Sequence, residues 1–174
     1  MTALIMEMFR DEMVMCAKLQ HPAIIRFYGC SWEQPEVFIA LEFAERGSMK
    51  DIIQAKDLVV TLEGVLLRMA VEVAGGMHYL HTRPRLVIHR DIKSDNVLVT
   101  STFSAKLADF GVSKETSDDT LGETFVGTAY WLAPEVGAGE VYGVKADVYS
   151  FAILLCELGI PSGDVQDIFV DADG

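Results

Sequence analysis

Two short segments of this chain place carboxylate, amide and cationic side chains at close spacing. In the first, Asp91 is followed by Lys93 two residues later and by Asn96 five residues later. In the second, Asp109 stands on a turn that contains Gly111. Transfer of a phosphoryl group to a hydroxyl needs a carboxylate that orients the hydroxyl, oxygen ligands for magnesium and a cation against the developing charge. The two segments contain these residue types, and Gly111 is expected to let the backbone turn so that Asp109 faces the metal.

Strands and a long amphipathic helix are predicted around these segments. Residues 87–88 and 97–99 are apolar and, apart from Leu98, β-branched, which predicts one short strand before the first segment and one after it. Residues 62–81 are predicted to form a long helix with one apolar face. That face comprises Leu62, Leu66, Met69, Val73, Met77 and Leu80. Residues 145–158 predict a second, apolar helix that is too short to span a bilayer.

The first third of the chain is predicted to contain a helix, two paired strands and a short second helix. The helix covers residues 4–20 and ends at His21-Pro22. Its predicted face carries Leu4, Met8, Glu12, Cys16 and Leu19. Residues 24–28 and 37–43 predict strands joined by the turn-rich residues 29–36, and Ser48 is a good N-cap for a helix over 49–54. Further along, the polar residues 112–128 predict a long mobile loop.

The composition is that of one soluble globular domain. The chain has 174 residues, of which 51% are hydrophobic and 23% charged. Its 14 Lys and Arg against 26 Asp and Glu give a formal charge of −12, which argues against nucleic-acid and anionic-lipid partners. The acidity fits either basic peptide substrates or, more simply, solubility. The three cysteines have no metal-ligand spacing, and no basic region precedes the first apolar residues, so we expect a reducing, cytoplasmic location without a signal peptide.

The motifs together resemble the eukaryotic protein kinases. They are His-Arg-Asp at residues 89–91, Asp-Phe-Gly at residues 109–111 and Ala-Pro-Glu at residues 133–135. One such triplet is a weak signal, whereas three in this order agree with the kinase motif set. The resemblance runs from Glu12 to about Glu157. Lys93, the segment 127–135 and the segment 147–151 resemble the tyrosine-kinase-like group of serine/threonine kinases.

The resemblance implies an α+β fold, with a partial small β lobe followed by a mainly helical large lobe. It places a partial kinase domain at residues 1–160, from the helix called αC to the helix called αF in the family, and an acidic tail at residues 161–174. The implied reaction is transfer of the γ-phosphate of ATP to serine or threonine hydroxyls of a protein substrate. The implied cofactors are ATP and Mg²⁺.

Five residues take catalytic roles in the resemblance. Asp91 would be the catalytic base, and Asn96 and Asp109 would hold magnesium. Lys93 would touch the transferring phosphate, and Thr128 would link Asp91 to Lys93.

Other residues would contact the nucleotide or support the site. Glu12 occupies the place of the αC glutamate, and Leu41 that of the residue that limits the depth of the nucleotide pocket. Glu42 and Ala44 bound the hinge, whose backbone would bind adenine, and Leu98 would pack under the adenine ring. An internal stack would comprise Cys16, Phe27, His89 and Phe110, with Asp147 at its base. Cys16, Phe27 and Leu98 are also plausible as plain core residues, and Glu12 as a plain helix-surface carboxylate.

The resemblance also implies regulation. Arg90 stands where such kinases bind a phosphate of the activation loop, and Thr124 occupies the usual phosphorylation site. Phosphate on Thr124 would order residues 112–128, with an upstream kinase as partner. Three further candidates, Thr116, Ser117 and Thr120, are equally readable as ordinary polar loop residues.

The chain departs from the family pattern at both ends. The sequence contains no Gly-x-Gly-x-x-Gly loop and no Val-Ala-Ile-Lys strand before Glu12, and Glu135 lacks the arginine with which it pairs in the family. Ala152 replaces a usual glycine. Two hypotheses follow. The chain is either a fragment of an active serine/threonine kinase, or a short protein that transfers phosphate inefficiently and serves as a binding or regulatory module.

Overall fold

A computed structural model describes residues 3–31, 38–55, 62–117, 120–121, 127–160 and 165. The helices are α1 (Ala3–Ala17), α2 (Met49–Gln54), α3 (Leu67–His81), α4 (Pro134–Gly137) and α5 (Val144–Gly159). The strands are β1 (Phe27–Ser31), β2 (Phe38–Leu41), β3 (Leu86–Ile88), β4 (Val97–Val99), β5 (Ala105–Leu107), β6 (Lys114–Thr116), β7 (Thr120–Leu121) and β8 (Tyr142–Gly143). Within the described ranges, no helix combines the length and apolarity needed to cross a membrane.

Helix α1 ends earlier than the sequence predicted. The N–H groups of Lys18 and Leu19 donate to the carbonyls three residues back, at 3.0 and 3.1 Å, so a tight turn replaces the last helical turn. The buried side chains include Met13 and Met15 as well as Leu19, while Glu12 and Cys16 are half-buried. The predicted apolar face of α1 was therefore too narrow, because it did not include Met13 and Met15. The side chains of Leu4 and Met8 lie outside those described.

The first predicted strand is displaced toward the C-terminus. Ile24 and Ile25 are buried, and the N–H of Ile25 donates to the carbonyl of Leu107 in β5 at 2.8 Å. These residues therefore pair with β5 and not with β2. Strand β1 begins at Phe27, opposite Leu41, and continues through residues 29–31, which the sequence analysis assigned to a connection.

The two predicted central helices are present with one interruption. Helix α2 has the predicted cap: the Ser48 hydroxyl accepts from the N–H of Asp51 at 3.1 Å, and the Asp51 carboxylate accepts from the N–H of Ser48 at 2.8 Å. The predicted helix over 62–81 is broken by a kink at Gly64, whose φ of −114° and ψ of −106° are not helical, and α3 begins at Leu67. The predicted face is buried from Leu66 onward, and the Leu62 side chain lies outside those described.

Three strand pairs surround the segments with candidate chemistry. β3 pairs with β6, β4 with β5, and β7 with β8, all antiparallel. The prediction of an unbroken loop over residues 112–128 is therefore wrong for β6 and β7. Polar side chains misled the prediction, because a strand that offers unpaired backbone groups can be extended by backbone hydrogen bonds whatever the side chains are.

Helix α5 lies against the rest of the large helical part. Its side chains Leu154 and Leu158 join one buried core with α3, β4 and β5, whose members include Met69, Val73 and Leu107. Small antiparallel strand pairs combined with this helical core confirm the predicted α+β class. The division at residue 160 stays a prediction, because only Val165, which is buried, is described beyond it.

Candidate active site

The backbone of the loop that follows β3 is hydrogen-bonded to a buried carboxylate. Asp147, in the first turn of α5, is 0% exposed and accepts hydrogen bonds from the N–H groups of His89 at 2.9 Å and Arg90 at 2.8 Å. Its Oδ2 also lies 2.7 Å from Nε2 of His81 on α3. Arg90 has φ 70°, an uncommon conformation for a side-chain-bearing residue. The three contacts of Asp147 hold this bend in place. Asp147 was expected at the base of the internal stack, and among the members of that stack its hydrogen bond is to the backbone of His89.

Asp91 lies at the centre of a hydrogen-bond network. Its Oδ1 accepts from the hydroxyl of Thr128 at 2.7 Å, and its Oδ2 accepts from Nδ2 of Asn96 at 2.7 Å. Nζ of Lys93 is 2.9 Å from the same Oδ2 and donates to the Thr128 hydroxyl at 2.6 Å. The contact predicted for Thr128, between Asp91 and Lys93, is therefore present.

The network keeps Asp91 ionised. Partial burial acts to raise the pKa of Asp91, but the hydrogen bonds from Thr128, Lys93 and Asn96 and the charge on Lys93 outweigh it. The pKa of Asp91 consequently lies below its ordinary value. A carboxylate that stays charged and fixed can accept a hydrogen bond from a substrate hydroxyl near neutral pH.

A close backbone approach brings Thr128 to Asp91. Gly127, next to Thr128, has φ +120°, and a Cβ at this position would lie 2.7 Å from the carbonyl oxygen of Arg90. A side chain is excluded here by contact with backbone, which cannot move aside cheaply. Glycine at this position therefore lets the segment of Thr128 pass directly over the loop of Asp91.

Asn96 and Asp109 are joined through Ala108. The N–H of Ala108 donates to the carbonyl of Asn96 at 2.9 Å, and the carbonyl of Ala108 is 3.0 Å from Nε2 of His89. Asp109 itself has φ 59°, whereas Gly111 has no positive φ. The expected role of Gly111 is therefore corrected: the turn is made at Asp109, and Gly111 leaves room for its carboxylate, since a Cβ there would lie 3.3 Å from Oδ1.

The oxygen atoms of Asn96 and Asp109 suit a magnesium ion. Both hydrogen bonds from Nδ2 of Asn96 go to Asp91, and within the described residues no hydrogen bond occupies the amide oxygen Oδ1, which could therefore serve as a ligand atom. Among the described residues, no group of three or more His, Cys, Asp or Glu side chains could hold a metal ion. Mg²⁺ is usually bound by one or two carboxylates together with substrate phosphates, so two protein ligands are enough.

Three of the four members of the predicted internal stack line a cavity of about 150 Å³. Cys16, Phe27 and Phe110 line it, and the rings of Phe110 and His89 are 5.0 Å apart. Burial raises the pKa of the Cys16 thiol to about 12, with a smaller contribution from the charge of Glu12. Burial lowers the pKa of His89, so its ring is neutral. Cys16, His89 and Phe110 are therefore core side chains, while Phe27 is half-buried at the edge of the cavity.

Glu12 lines the same cavity as Asp109. Burial raises the pKa of Glu12, and the negative charge of Asp109 raises it further. Within the described part of the chain, Glu12 forms no ion pair with a lysine or arginine. Its expected cation partner is thus not supplied by the described residues.

The predicted hinge follows β2 and leads to α2. Leu41 ends β2 and is 46% exposed, and the N–H of Glu42 donates to the carbonyl of Arg26 at 2.8 Å. The Glu42 side chain pairs with Lys106 at 3.0 Å. Beyond Glu42 and Ala44, a backbone bridge joins Ser48 to Leu98, which packs against the core. Residues 46–48, which follow the predicted hinge, are hydrogen-bonded to β4, while adenine binding stays a prediction.

The Arg90 side chain has two protein partners. Nε donates to the carbonyl of Val112, and one terminal nitrogen lies 3.2 Å from the hydroxyl of Tyr142 in β8. Thr124, the expected phosphorylation site, lies outside the described residues. Sequence reasoning missed Tyr142, since a single tyrosine after a glycine-rich turn carries no distinctive pattern.

Ser94 and Glu157 form a second buried contact that the sequence analysis missed. The Ser94 hydroxyl donates to Oε1 of Glu157 on α5, and the two residues are 0% and 1% exposed. Burial raises the pKa of Glu157, and hydrogen bonds from Ser94 lower it in part. The sequence signal that could have revealed this contact is Glu157 itself, a carboxylate in the otherwise apolar C-terminal part of α5.

Comparisons with known proteins agree with this geometry. The protein kinase domain family matches residues 2–163. "Probable serine/threonine-protein kinase drkD" of Dictyostelium discoideum is 42% identical over 149 residues, covering 86% of this chain and 11% of that protein. "Mitogen-activated protein kinase kinase kinase 13" of Homo sapiens is 40% identical over 152 residues, covering 86% of this chain and 15% of that protein. The chain thus spans less than one sixth of the length of these two relatives.

Proposed function

This chain belongs to the protein kinase family, and on that premise we propose that it transfers the γ-phosphate of ATP to serine and threonine hydroxyls of a protein substrate. Of the two relatives named above, one is named as a probable serine/threonine-protein kinase and the other as a mitogen-activated protein kinase kinase kinase. The sequence itself resembles the tyrosine-kinase-like group of serine/threonine kinases. The proposal concerns the chemistry that these 174 residues contribute.

The single observation that carries the proposal is the geometry of Asp91. Its two carboxylate oxygens accept from Thr128, Lys93 and Asn96 at 2.7, 2.9 and 2.7 Å. The carboxylate is held in one orientation and kept charged, so it can orient a substrate hydroxyl and accept its proton as the phosphoryl group is transferred. Lys93 places a cation beside the same oxygens, where it would meet the charge of the transferring phosphate.

Asn96 and Asp109 would hold Mg²⁺, through the amide oxygen of Asn96 and the carboxylate of Asp109. When bound, the ion would neutralise phosphate charge and fix the phosphates of ATP. The protein's contribution is positional: the hydrogen bond between Ala108 and Asn96 keeps the two ligand residues next to each other. The hinge segment between Glu42 and Ala44, with Leu98 below it, would bind the adenine ring.

The experiment is a transfer assay with identification of the phosphorylated amino acid. The 174-residue chain is incubated with radiolabelled ATP, Mg²⁺ and a mixed protein substrate. We expect slow transfer to serine and threonine, because the sequence contains no glycine-rich loop or lysine-bearing strand to grip the nucleotide. Asp91→Asn should abolish that transfer, whereas label on tyrosine, or transfer that is unchanged in Asp91→Asn, would contradict the proposal.

A second function is favoured by the surroundings of Glu12. Its carboxylate lies near Asp109 without a cation partner among the described residues, which weakens the case for a tightly held nucleotide. A chain of this kind would serve as a binding or regulatory module that competes for the partners of a full kinase. Absence of any Asp91-dependent transfer in the assay would support this second function.

Partners and location follow as further parts of the proposal. We propose a protein substrate, an upstream kinase that phosphorylates Thr124, and a cytoplasmic location. Alanine substitution of Thr124 in an active protein tests the regulatory part. Activity that does not depend on Thr124 would contradict it, because Arg90 would then have no role beyond its contacts with Val112 and Tyr142.

A further inference from the structure

Residues 89–96, the loop between β3 and β4, are called the catalytic loop below. Helix α5 contacts this loop at two places, which are ten residues apart on the helix. Asp147 accepts from the backbone of His89 and Arg90, at the beginning of the loop. Glu157 accepts from the hydroxyl of Ser94, between Asp91 and Asn96. Ten residues of α-helix extend about 15 Å, so the two carboxylates contact well-separated parts of the loop.

The contact between Ser94 and Glu157 needs a physical reason, since burial of a carboxylate is costly. Glu157 is 1% exposed, and its second oxygen, Oε2, has no hydrogen-bond partner among the described residues. A buried polar atom that is not hydrogen-bonded costs free energy, and a buried charge costs more. The only other buried charged side chain on α5 is Asp147, which holds the loop through three contacts.

Ser94 opens the short turn that carries Asn96. The turn spans Ser94–Asn96; the N–H of Val97 donates to the carbonyl of Ser94, and the N–H of Asn96 donates to the carbonyl of Lys93 at 3.0 Å. The side chain of Asn96 then donates both to the carbonyl oxygen and to the carboxylate of Asp91, at 2.8 and 2.7 Å. A shift of Ser94 would therefore move the amide of Asn96 relative to Asp91.

We propose that Glu157 is a positioning residue of the phosphoryl-transfer site, which acts through Ser94 to fix the metal-facing oxygen of Asn96. This inference rests on the proposed function, because it assumes that Asn96 and Asp109 bind the divalent ion. Glu157 has no contact with substrate or metal in this role. It sets the position of the turn, and the turn sets the direction of the Asn96 amide.

The test measures the affinity of the 174-residue chain for Mn²⁺ by electron paramagnetic resonance, which needs no turnover. Two reference variants, Asp109→Asn and Asn96→Ala, identify the site by weakening Mn²⁺ binding. Glu157→Ala and Ser94→Ala should each weaken it on the order of tenfold, the lower end of the range for groups that orient a metal ligand. Ser94→Ala provides a readout if Glu157→Ala does not fold.

Conservative and double variants separate positioning from general stability. Glu157→Gln keeps an oxygen that accepts from Ser94 and should bind Mn²⁺ within about twofold of the original chain. The double variant Ser94→Ala/Glu157→Ala should resemble either single variant, because both remove the same contact. The matched control is Ser150→Ala, which removes a buried hydrogen bond of 2.6 Å from α5 to Trp131 and should leave Mn²⁺ affinity unchanged.

The outcomes distinguish failure of this inference from failure of the proposed function. If Mn²⁺ binding is insensitive to Asp109→Asn and Asn96→Ala, the proposed metal site itself is wrong. If both reference variants weaken binding while Glu157→Ala and Ser94→Ala do not, Glu157 is a structural residue only, and the inference is overturned. Equal losses in Ser150→Ala and Glu157→Ala would overturn it as well.

Discussion

Among the single residues of the site, Asp91 is the one whose proposed chemistry depends most on how its side chain is held. Thr128 comes from a segment 37 residues away in the chain and still hydrogen-bonds the Asp91 carboxylate at 2.7 Å. The motif around Asp91 could be predicted from the sequence because its residues are close together in a single loop. The buried pair of Ser94 and Glu157 was not, because its two members are 63 residues apart and only the fold brings them together.

Thr128→Ala should reduce stability in a pH-dependent way. The folded-state pKa of Asp91 is lowered, so its network stabilises the protein above the ordinary aspartate pKa, and this contribution is lost as pH falls through the folded-state pKa. Removing a hydrogen bond to a charged group costs about 1.5–3 kcal/mol of unfolding free energy. We expect that loss in urea unfolding at neutral pH, and a smaller loss in acid.

Thr82→Ala is the control for this pH dependence. The Thr82 hydroxyl donates to the carbonyl of His78 at 2.7 Å, which is an uncharged partner. The loss of unfolding free energy in Thr82→Ala should be the same at neutral pH and in acid. If the two variants showed the same pH dependence, the charge of Asp91 would not be what Thr128 stabilises.

At the scale of elements, prediction succeeded where side-chain pattern decides the structure. The capped helix α2 and the apolar face of α3 followed from sequence alone, since both depend on local chemistry. The displacement of β1 and the two strands in the polar segment could not be predicted. They depend on which backbone groups β5, β3 and β8 leave available for pairing, as the bond from Ile25 to Leu107 shows. The same limit applies to Asp109, whose positive φ replaced the expected turn at Gly111.

Gly127→Ala should separate the segment of Thr128 from the catalytic loop. A Cβ at Gly127 would approach the Arg90 carbonyl to 2.7 Å, and the residue has φ +120°. We expect a loss of about 1–3 kcal/mol of unfolding free energy from backbone strain, together with a rise in the pKa of Asp91 as Thr128 withdraws. Thermal unfolding and carbon NMR of the carboxylate measure the two effects.

Gly139→Ala is the matched control. Gly139 also has positive φ, at +73°, but nothing lies within 4 Å of its added Cβ. This variant should lose stability through strain alone and leave the pKa of Asp91 unchanged. An equal pKa change in both variants would show that the close approach at Arg90 is unimportant.

Asp147→Asn tests the hold of α5 on the catalytic loop. The asparagine amide cannot accept from His89, Arg90 and His81 together, so at least one buried donor is left unpaired, at a cost of about 1–3 kcal/mol. We also expect faster amide hydrogen exchange at Arg90. Val148→Ala, at a neighbouring position of the same helix that is 53% exposed, should change neither quantity.

At the scale of the whole molecule, the charge of −12 sets the response to salt. Like charges repel one another across the folded chain, and salt screens this repulsion by shortening the Debye length from about 30 Å at 0.01 M to about 8 Å at 0.15 M. The unfolding midpoint should therefore rise over this range of NaCl. A midpoint that falls would mean that the ion pairs, such as that of Lys106 with Glu42, outweigh the repulsion.

The central claim is that these residues, once a nucleotide is presented to them, perform phosphoryl transfer through Asp91. The most direct measurement replaces the matching segment of an active protein kinase of the family with residues 2–163 of this chain and compares transfer rates with and without Asp91→Asn. We predict that the chimera phosphorylates serine and threonine and that Asp91→Asn lowers the rate by about 10²–10⁴-fold. A folded chimera that is inactive, or that is active regardless of Asp91, would contradict the account.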